Sequence, residues 1–194
     1  MFKAIIDLET TGLKRNFHEI IEISCVVFNE KLEQIQTFTS LVQPYKWDIE
    51  MEALEVNGIT IEQLKKAPTG MTVKGNFIKW RNEVLNGELV IPYGWNYKSF
   101  DMPFLLTWFG EENYQKIFHY RSEDIDSHLK NLNEDFDIFP DLTSYKLVEV
   151  CRYFTIPLKA HSSLPDCWAT LEVLKRVKKI TEQLKIQIRK KVKL

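Results

Sequence analysis

Five side chains could do chemistry together: Asp7 and Glu9 in IIDLETTGL, Asp101 in GWNYKSFD, and His161 with Asp166 in HSSLPD. Four carboxylates drawn to one point repel one another, and each buried charge left unpaired costs several kcal/mol. A chain that gathers them therefore calls for cations in their midst, and divalent metal ions suit carboxylate oxygens. An imidazole beside such a centre can take a proton near neutral pH, since its ordinary pKa is about 6.5.

Whether the five meet depends on the elements that carry them. Residues 2–8 form an apolar, β-branched run that reads as a buried central strand. Asp7 and Glu9 stand two apart at its end, so both leave the same face. A lone D-x-E pair is common. Here the apolar run delivers it to the edge of a sheet, where Thr10-Thr11-Gly12 turns the chain. Backbone N–H groups and hydroxyls exposed at such a turn can meet a phosphate or sugar. Asp101 follows Phe100 where a loop gives way to a helix. In isolation it is equally a helix-start aspartate favoured by the macrodipole, and Asn96 equally a loop-fixing Asx residue. Pro165 disfavours helical geometry at Leu164 and suits a first helical position. The last helix is thus expected to begin near Pro165, with Asp166 in its first turn and His161 in the preceding loop. There the imidazole can fold back beside the carboxylate. The other histidines, His18, His119 and His128, read as polar surface residues.

Residues 20–28 (IIEISCVVF) predict a second strand, Asn29-Glu30-Lys31 a turn, and 33–42 an antiparallel return. Helical segments follow at 51–56, stopped by Asn57-Gly58, then one capped by Thr60, then 73–85. A strand is expected over 88–94 and a helix over 100–109, where Pro103 is tolerable only if the helix starts just before it. Residues 114–141 predict a short strand or helix near 117–124 and then a surface loop rich in Asp and Asn. Helices are expected over 145–154 and 166–184, with a basic tail over 185–194. No repeat or linker divides the chain. The expectation is one α/β domain over residues 1–184, a central mixed β-sheet flanked by helices.

With 44% apolar and 27% charged residues, the chain has the composition of a soluble globular protein. Its net charge of −1 gives no global basic field to advertise nucleic acid, although metal ions would add positive charge that this sum omits. Cys25, Cys151 and Cys167 are odd in number, lack CxxC spacing and sit among apolar residues. They read as buried free thiols in a reducing compartment rather than as zinc ligands. No run is long enough to span a membrane and no cleavable leader is visible, so a cytoplasmic protein without a membrane partner is expected. Trp95, Phe100 and Trp108 could stack bases, but their positions favour core packing.

Taken together, IIDLETTGL, EIIEISCVVF, VNGITIEQLKKAP, NYKSFDMPFL and KLVEVCRYFTIPLKAHSSLPDCWATLEVL resemble, in order and spacing, the DEDD superfamily of 3′–5′ exonucleases. The branch resembled is DEDDh, which includes the proofreading subunit of bacterial replicative polymerase, ribonuclease T and oligoribonuclease. Its final motif is H-x-x-x-x-D, whereas the sister branch places a tyrosine where this chain has Ser162. The resemblance implies a ribonuclease H-like fold and hydrolysis of a 3′-terminal phosphodiester with two Mg²⁺ or Mn²⁺ ions, about 3.5–4 Å apart. By the same resemblance Asp7 would bridge the ions, Glu9 and Asp166 would bind one, Asp101 would support the other, and His161 would act as general base. Thr10, Thr11 and Leu13 would line the terminal-nucleotide pocket. Asn57, counted with them as a substrate contact, departs from the histidine that relatives often carry before Gly-Ile-Thr. Single-stranded DNA is the expected substrate, with a DNA polymerase as candidate partner. An exoribonuclease acting on short or structured RNA ends is the alternative. A non-catalytic nucleic-acid-binding module would show a lost carboxylate or histidine, and none is lost. A dinucleotide-binding protein is disfavoured because no Gly-rich loop follows the first strand.

Overall fold

β1 (Phe2–Thr10) runs through the middle of a five-stranded sheet ordered β3-β2-β1-β4-β5. The structure is a computed structural model describing residues 1–158 and 161–192. β2 (Ile20–Phe28) pairs antiparallel with β1, and β3 (Gln34–Leu41) pairs antiparallel with β2. β4 (Val90–Gly94) lies parallel to β1 on its other side, and β5 (Glu123–Asp124) is parallel to β4. The sheet is therefore mixed, as the sequence predicts.

Alternation along β1 feeds two cores. Ala4, Ile6 and Leu8 join a cluster with Phe77, Phe104 and Leu105, while Ile5 belongs to a second with Leu129, Val150, Cys167 and Leu171. The period of two puts Asp7 and Glu9 on the Ile5 side of the sheet. Helices α3 (Gly70–Leu85) and α4 (Asp101–Phe109) supply the first cluster. Helices α6 (Ile125–Phe136), α7 (Leu147–Tyr153) and α8 (Ser163–Val192) supply the second. Three short helices, α1 (Met51–Asn57), α2 (Ile61–Lys66) and α5 (Glu111–Ile117), complete the chain. Gly58 stops α1 in the left-handed region (φ 68°), and Thr60 with Gln63 forms a full capping box on α2. All three cysteines are buried and free. Trp95, Phe100 and Trp108 pack against the two clusters.

Two expectations are corrected. The Asp- and Asn-rich stretch assigned to a surface loop contains α6, whose Ile125 and Leu129, four apart, are fully buried. Its composition suggests a loop because most of its polar residues face water, whereas the spacing of its apolar ones is helical. Helix α8 begins at Ser163, two residues before the expected start, with Pro165 as its third residue. Proline is tolerated there because the first N–H groups of a helix have no partner within it. Downstream, α8 continues without a break to Val192.

Candidate metal centre

The acids converge from three elements. Asp7 and Glu9 come from the end of β1, Asp101 is the first residue of α4, and Asp166 lies in the first turn of α8. One carboxylate oxygen from each of Asp7, Glu9 and Asp166 lies within 4.8 Å of the others. The pairing of β1 with β2 slips between Glu9 and Thr10, so the chain leaves the sheet just past the second acid.

The electrostatics are those of crowded anions. Asp7 is raised well above the ordinary carboxylate range, first by removal from water and then by Asp101, Glu9, Asp166 and Glu22. Glu9 is pushed up to about 8 by burial and by the charges of Asp166 and Glu22. Asp166 is pushed up to about 6 by burial, against the backbone N–H and the charge of His161. Asp101 is fully buried and also raised well above its usual value by desolvation, with the backbone N–H groups of Asp101 and Leu8 pulling it partly back. Oδ1 of Asp101 and Oδ1 of Asp166 are buried with no hydrogen-bond partner among the described residues. Orphaned anionic oxygens in an all-carboxylate cluster fit hard divalent cations, which prefer oxygen ligands. Cations there would reverse every one of these upward shifts.

His161 sits at φ 64°, and its backbone N–H reaches Asp166 Oδ2 at 3.3 Å. Its side chain is exposed. The expected approach of the histidine to the carboxylate is therefore made by its main chain. The turn after β1 is tightly built. Thr10 Oγ1 donates to Gly12 O (2.8 Å), Thr11 Oγ1 accepts from Glu19 N–H (3.0 Å), and Thr11 O accepts from Glu50 N–H (2.9 Å). Both threonine hydroxyls are thus committed within the turn, while Leu13 stands 77% exposed. Asn57 is buried, with its side-chain oxygen accepting the Ile59 N–H (3.0 Å).

Among the other histidines, His18 is a correction: it is buried under the Thr10–Gly12 turn. Its Nδ1 accepts the Lys14 N–H (3.0 Å) and its Nε2 faces Glu50 Oε1 at 3.4 Å, tying the turn to the residue before α1. The sequence showed only a histidine in a polar loop. Glu22, also missed, pairs with Glu9 across β1 and β2. Its one visible signal was a charge inside the apolar run IIEISCVVF. An open cleft of about 920 Å³, lined in part by Arg15, Tyr45, Lys46, Trp47, Lys74 and Trp108, includes none of the four converging acids.

A mixed sheet with carboxylates at the end of its central strand is the architecture of a ribonuclease H-like exonuclease. Among solved structures, a zinc-bound form of the Escherichia coli exonuclease I–single-stranded DNA complex superposes with a TM-score of 0.81 and 16% identity. That match covers 97% of this chain and 43% of the other. The exonuclease family model, RNase T, matches residues 4–174, and the chain belongs to that family. That family is divalent-metal dependent, and the cluster of Asp7, Glu9 and Asp166 is one that could hold such an ion. The DNA polymerase III PolC-type protein of Bacillus subtilis is 26% identical over 184 residues, covering 94% of this chain and 12% of that protein. The DNA polymerase III subunit epsilon of Rickettsia conorii is 27% identical over 173 residues, covering 87% of this chain and 70% of that one. The chain thus spans about an eighth of the length of the PolC-type relatives. Among the described residues, no helix is long and apolar enough to cross a membrane.

Proposed function

We propose that this chain is a cytoplasmic, metal-dependent 3′–5′ exonuclease that removes 3′-terminal nucleotides from single-stranded DNA. The observation that carries the reading is the meeting of Asp7, Glu9 and Asp166 within 4.8 Å, beside a buried Asp101 whose Oδ1 has no hydrogen-bond partner among the described residues. Asp7, Glu9, Asp101 and Asp166 would hold two divalent cations, Mg²⁺ or Mn²⁺. When bound, the cations supply charge stabilisation at the attacking and leaving oxygens of an in-line displacement.

The chain's own residues do the rest. His161, tethered by its backbone to Asp166, projects its imidazole toward solvent, where it can take a proton from an attacking water. Leu13 offers an exposed apolar surface for a terminal base or sugar. The main chain of Thr10 and Thr11, held by its own hydroxyls, sets the pocket wall, and Asn57 supports the facing segment from within. Residues 1–184 would form the catalytic unit, followed in sequence by the basic segment 185–194, of which the structure describes 185–192 as the end of α8. DNA is favoured over RNA because the relatives are named as DNA polymerase III proteins and a fold neighbour is complexed with single-stranded DNA. The same relatives make a DNA polymerase the candidate partner.

The test is incubation of 5′-labelled single-stranded DNA and RNA oligomers with Mg²⁺ or Mn²⁺. A ladder shortening from the 3′ end of DNA, absent in Asp7→Ala and in Asp166→Ala proteins that still melt cooperatively, is expected. Full activity in either variant refutes the site, and preferential degradation of RNA refutes the substrate.

A further inference from the structure

We propose that Glu22, acting through Ser163, is a positioning residue that places Asp166 for metal binding. The proposal rests on the metal-centre reading above and concerns a carboxylate outside that ligand set.

Glu22 stands opposite Glu9 in the β1–β2 register, so its side chain shares the face of Asp7 and Glu9. A fifth acid there adds repulsion, being one of the charges that raise Asp7, Glu9 and Asp166. Something must offset that. Glu22 Oε2 accepts two hydrogen bonds from one residue, the Ser163 N–H at 2.8 Å and the Ser163 hydroxyl at 2.7 Å. Ser163 opens α8, where backbone N–H groups lack helical partners and the macrodipole favours an anion. Ser163 is fully buried, and its Oγ also lies 2.7 Å from Ser24 Oγ, itself 2.9 Å from Thr39 Oγ1. A chain of hydroxyls and one carboxylate thus pins the start of α8 to β2 and β3.

The consequence follows from helix geometry. Asp166 is three residues after Ser163, so the two share a face of the first turn. Fixing Ser163 on Glu22 fixes how far the Asp166 carboxylate stands from Asp7 and Glu9. From the segment before α8, the Asp166 carboxylate accepts the His161 N–H at 3.3 Å, and the Asp166 N–H donates to Ser162 O at 3.1 Å. Without Glu22, the first turn is free to shift away from three like charges.

Both bonds go to one oxygen, which separates placement from charge. A glutamine can present its amide oxygen in the same place, whereas an alanine cannot. The experiment measures Mn²⁺ binding by calorimetry and by electron paramagnetic resonance on the full chain without nucleic acid, with thermal melts as a check of folding. Glu22→Ala should weaken Mn²⁺ binding about 10–100-fold, the usual consequence of removing a group that orients a metal ligand. Glu22→Gln should stay within about three-fold of wild type. Ser163→Ala, which keeps the N–H and loses one donor, should fall between the two, and it decides the matter if Glu22→Ala does not fold. Wild-type affinity in Glu22→Ala or Ser163→Ala, or a Glu22→Gln as weak as the alanine variant, overturns the positioning role alone. A wild-type chain that binds no Mn²⁺ overturns the metal centre and this role together. A wild-type chain that binds Mn²⁺ and degrades no nucleic acid overturns the proposed activity and leaves the positioning result standing.

Discussion

Stripping metal from this protein should make its stability fall as pH rises, the reverse of the usual acid denaturation. Glu9 is raised from 4.5 to about 8 and Asp166 from 3.8 to about 6. Between the unfolded and folded values, the folded state keeps protons that the unfolded chain has released. Stability then has a negative slope with pH. It is fully present below the unfolded values near 4 and is lost as pH climbs to about 6 for Asp166 and about 8 for Glu9. Each pH unit of such a difference is worth about 1.4 kcal/mol. Ionising Glu9 by pH 8 therefore costs up to about 5 kcal/mol, of which some 3–4 kcal/mol falls between pH 5 and pH 8. Asp166 is more open to water and its contribution, discounted for screening, is about 1 kcal/mol or less over that range. The total is a large share of the roughly 5–15 kcal/mol by which a domain is stable. For a domain of this size, about 2–4 °C of Tm accompanies each kcal/mol. Chelator-treated protein should thus lose about 10 °C of Tm from pH 5 to pH 8. Saturating Mn²⁺ should flatten that slope, because a cation that binds only the folded, ionised site adds stability by mass action. Differential scanning calorimetry at four pH values, with and without Mn²⁺, is the assay. A metal-free Tm that stays level or climbs over this range refutes the reasoning, and Glu9→Gln should remove most of the slope.

His161→Ala should leave Mn²⁺ affinity within a few-fold and lower turnover about 10²–10⁴-fold; near-normal single-turnover rates at neutral pH would require another base. Gly12→Ala puts a Cβ 2.4 Å from the His18 imidazole, so the turn or the histidine must move. A loss of about 1–3 kcal/mol in denaturant melts and a raised KM for oligonucleotides are expected, with metal binding retained. Thr60→Ala breaks the capping box on α2, away from the acids, and should cost about 1 kcal/mol of stability with activity unchanged.

What the sequence made legible was whatever a local signal encodes. The β-branched run of β1, the Asn57-Gly58 stop and the Thr60 cap each speak through neighbours a few residues away, and each lies where expected. The convergence of Asp7, Glu9 and Asp166 was readable only through the order of several motifs, because no local rule joins residues 7 and 166. Where composition and period disagreed, as in α6, composition misled, since the buried Ile125 and Leu129 are few among polar neighbours. His18 and Glu22 were hidden for another reason. A polar residue's burial is decided by the partner it finds in space, and Glu50 and Ser163 lie 32 and 141 positions away.

The acids are not equivalent, and their origins explain why. Asp101 and Asp166 sit at helix starts, and each is eased by backbone N–H groups: those of Asp101 and Leu8 in one case, that of His161 in the other. On Asp7 and Glu9, at the end of β1, desolvation and like-charge repulsion both push upward. Glu9 at about 8 against Asp166 at about 6 follows from that difference: burial, Asp166 and Glu22 raise Glu9, whereas the N–H and charge of His161 hold Asp166 back. In the metal-free protein at neutral pH, Glu9 therefore keeps its proton while Asp166 is largely ionised. A cation entering the site must displace that proton, so metal affinity near neutral pH should depend on pH through Glu9. Asp166 keeps a standing negative charge that draws the cation in. Strand end and helix start thus divide the work, Asp166 attracting the metal and Glu9 closing on it once its proton has left.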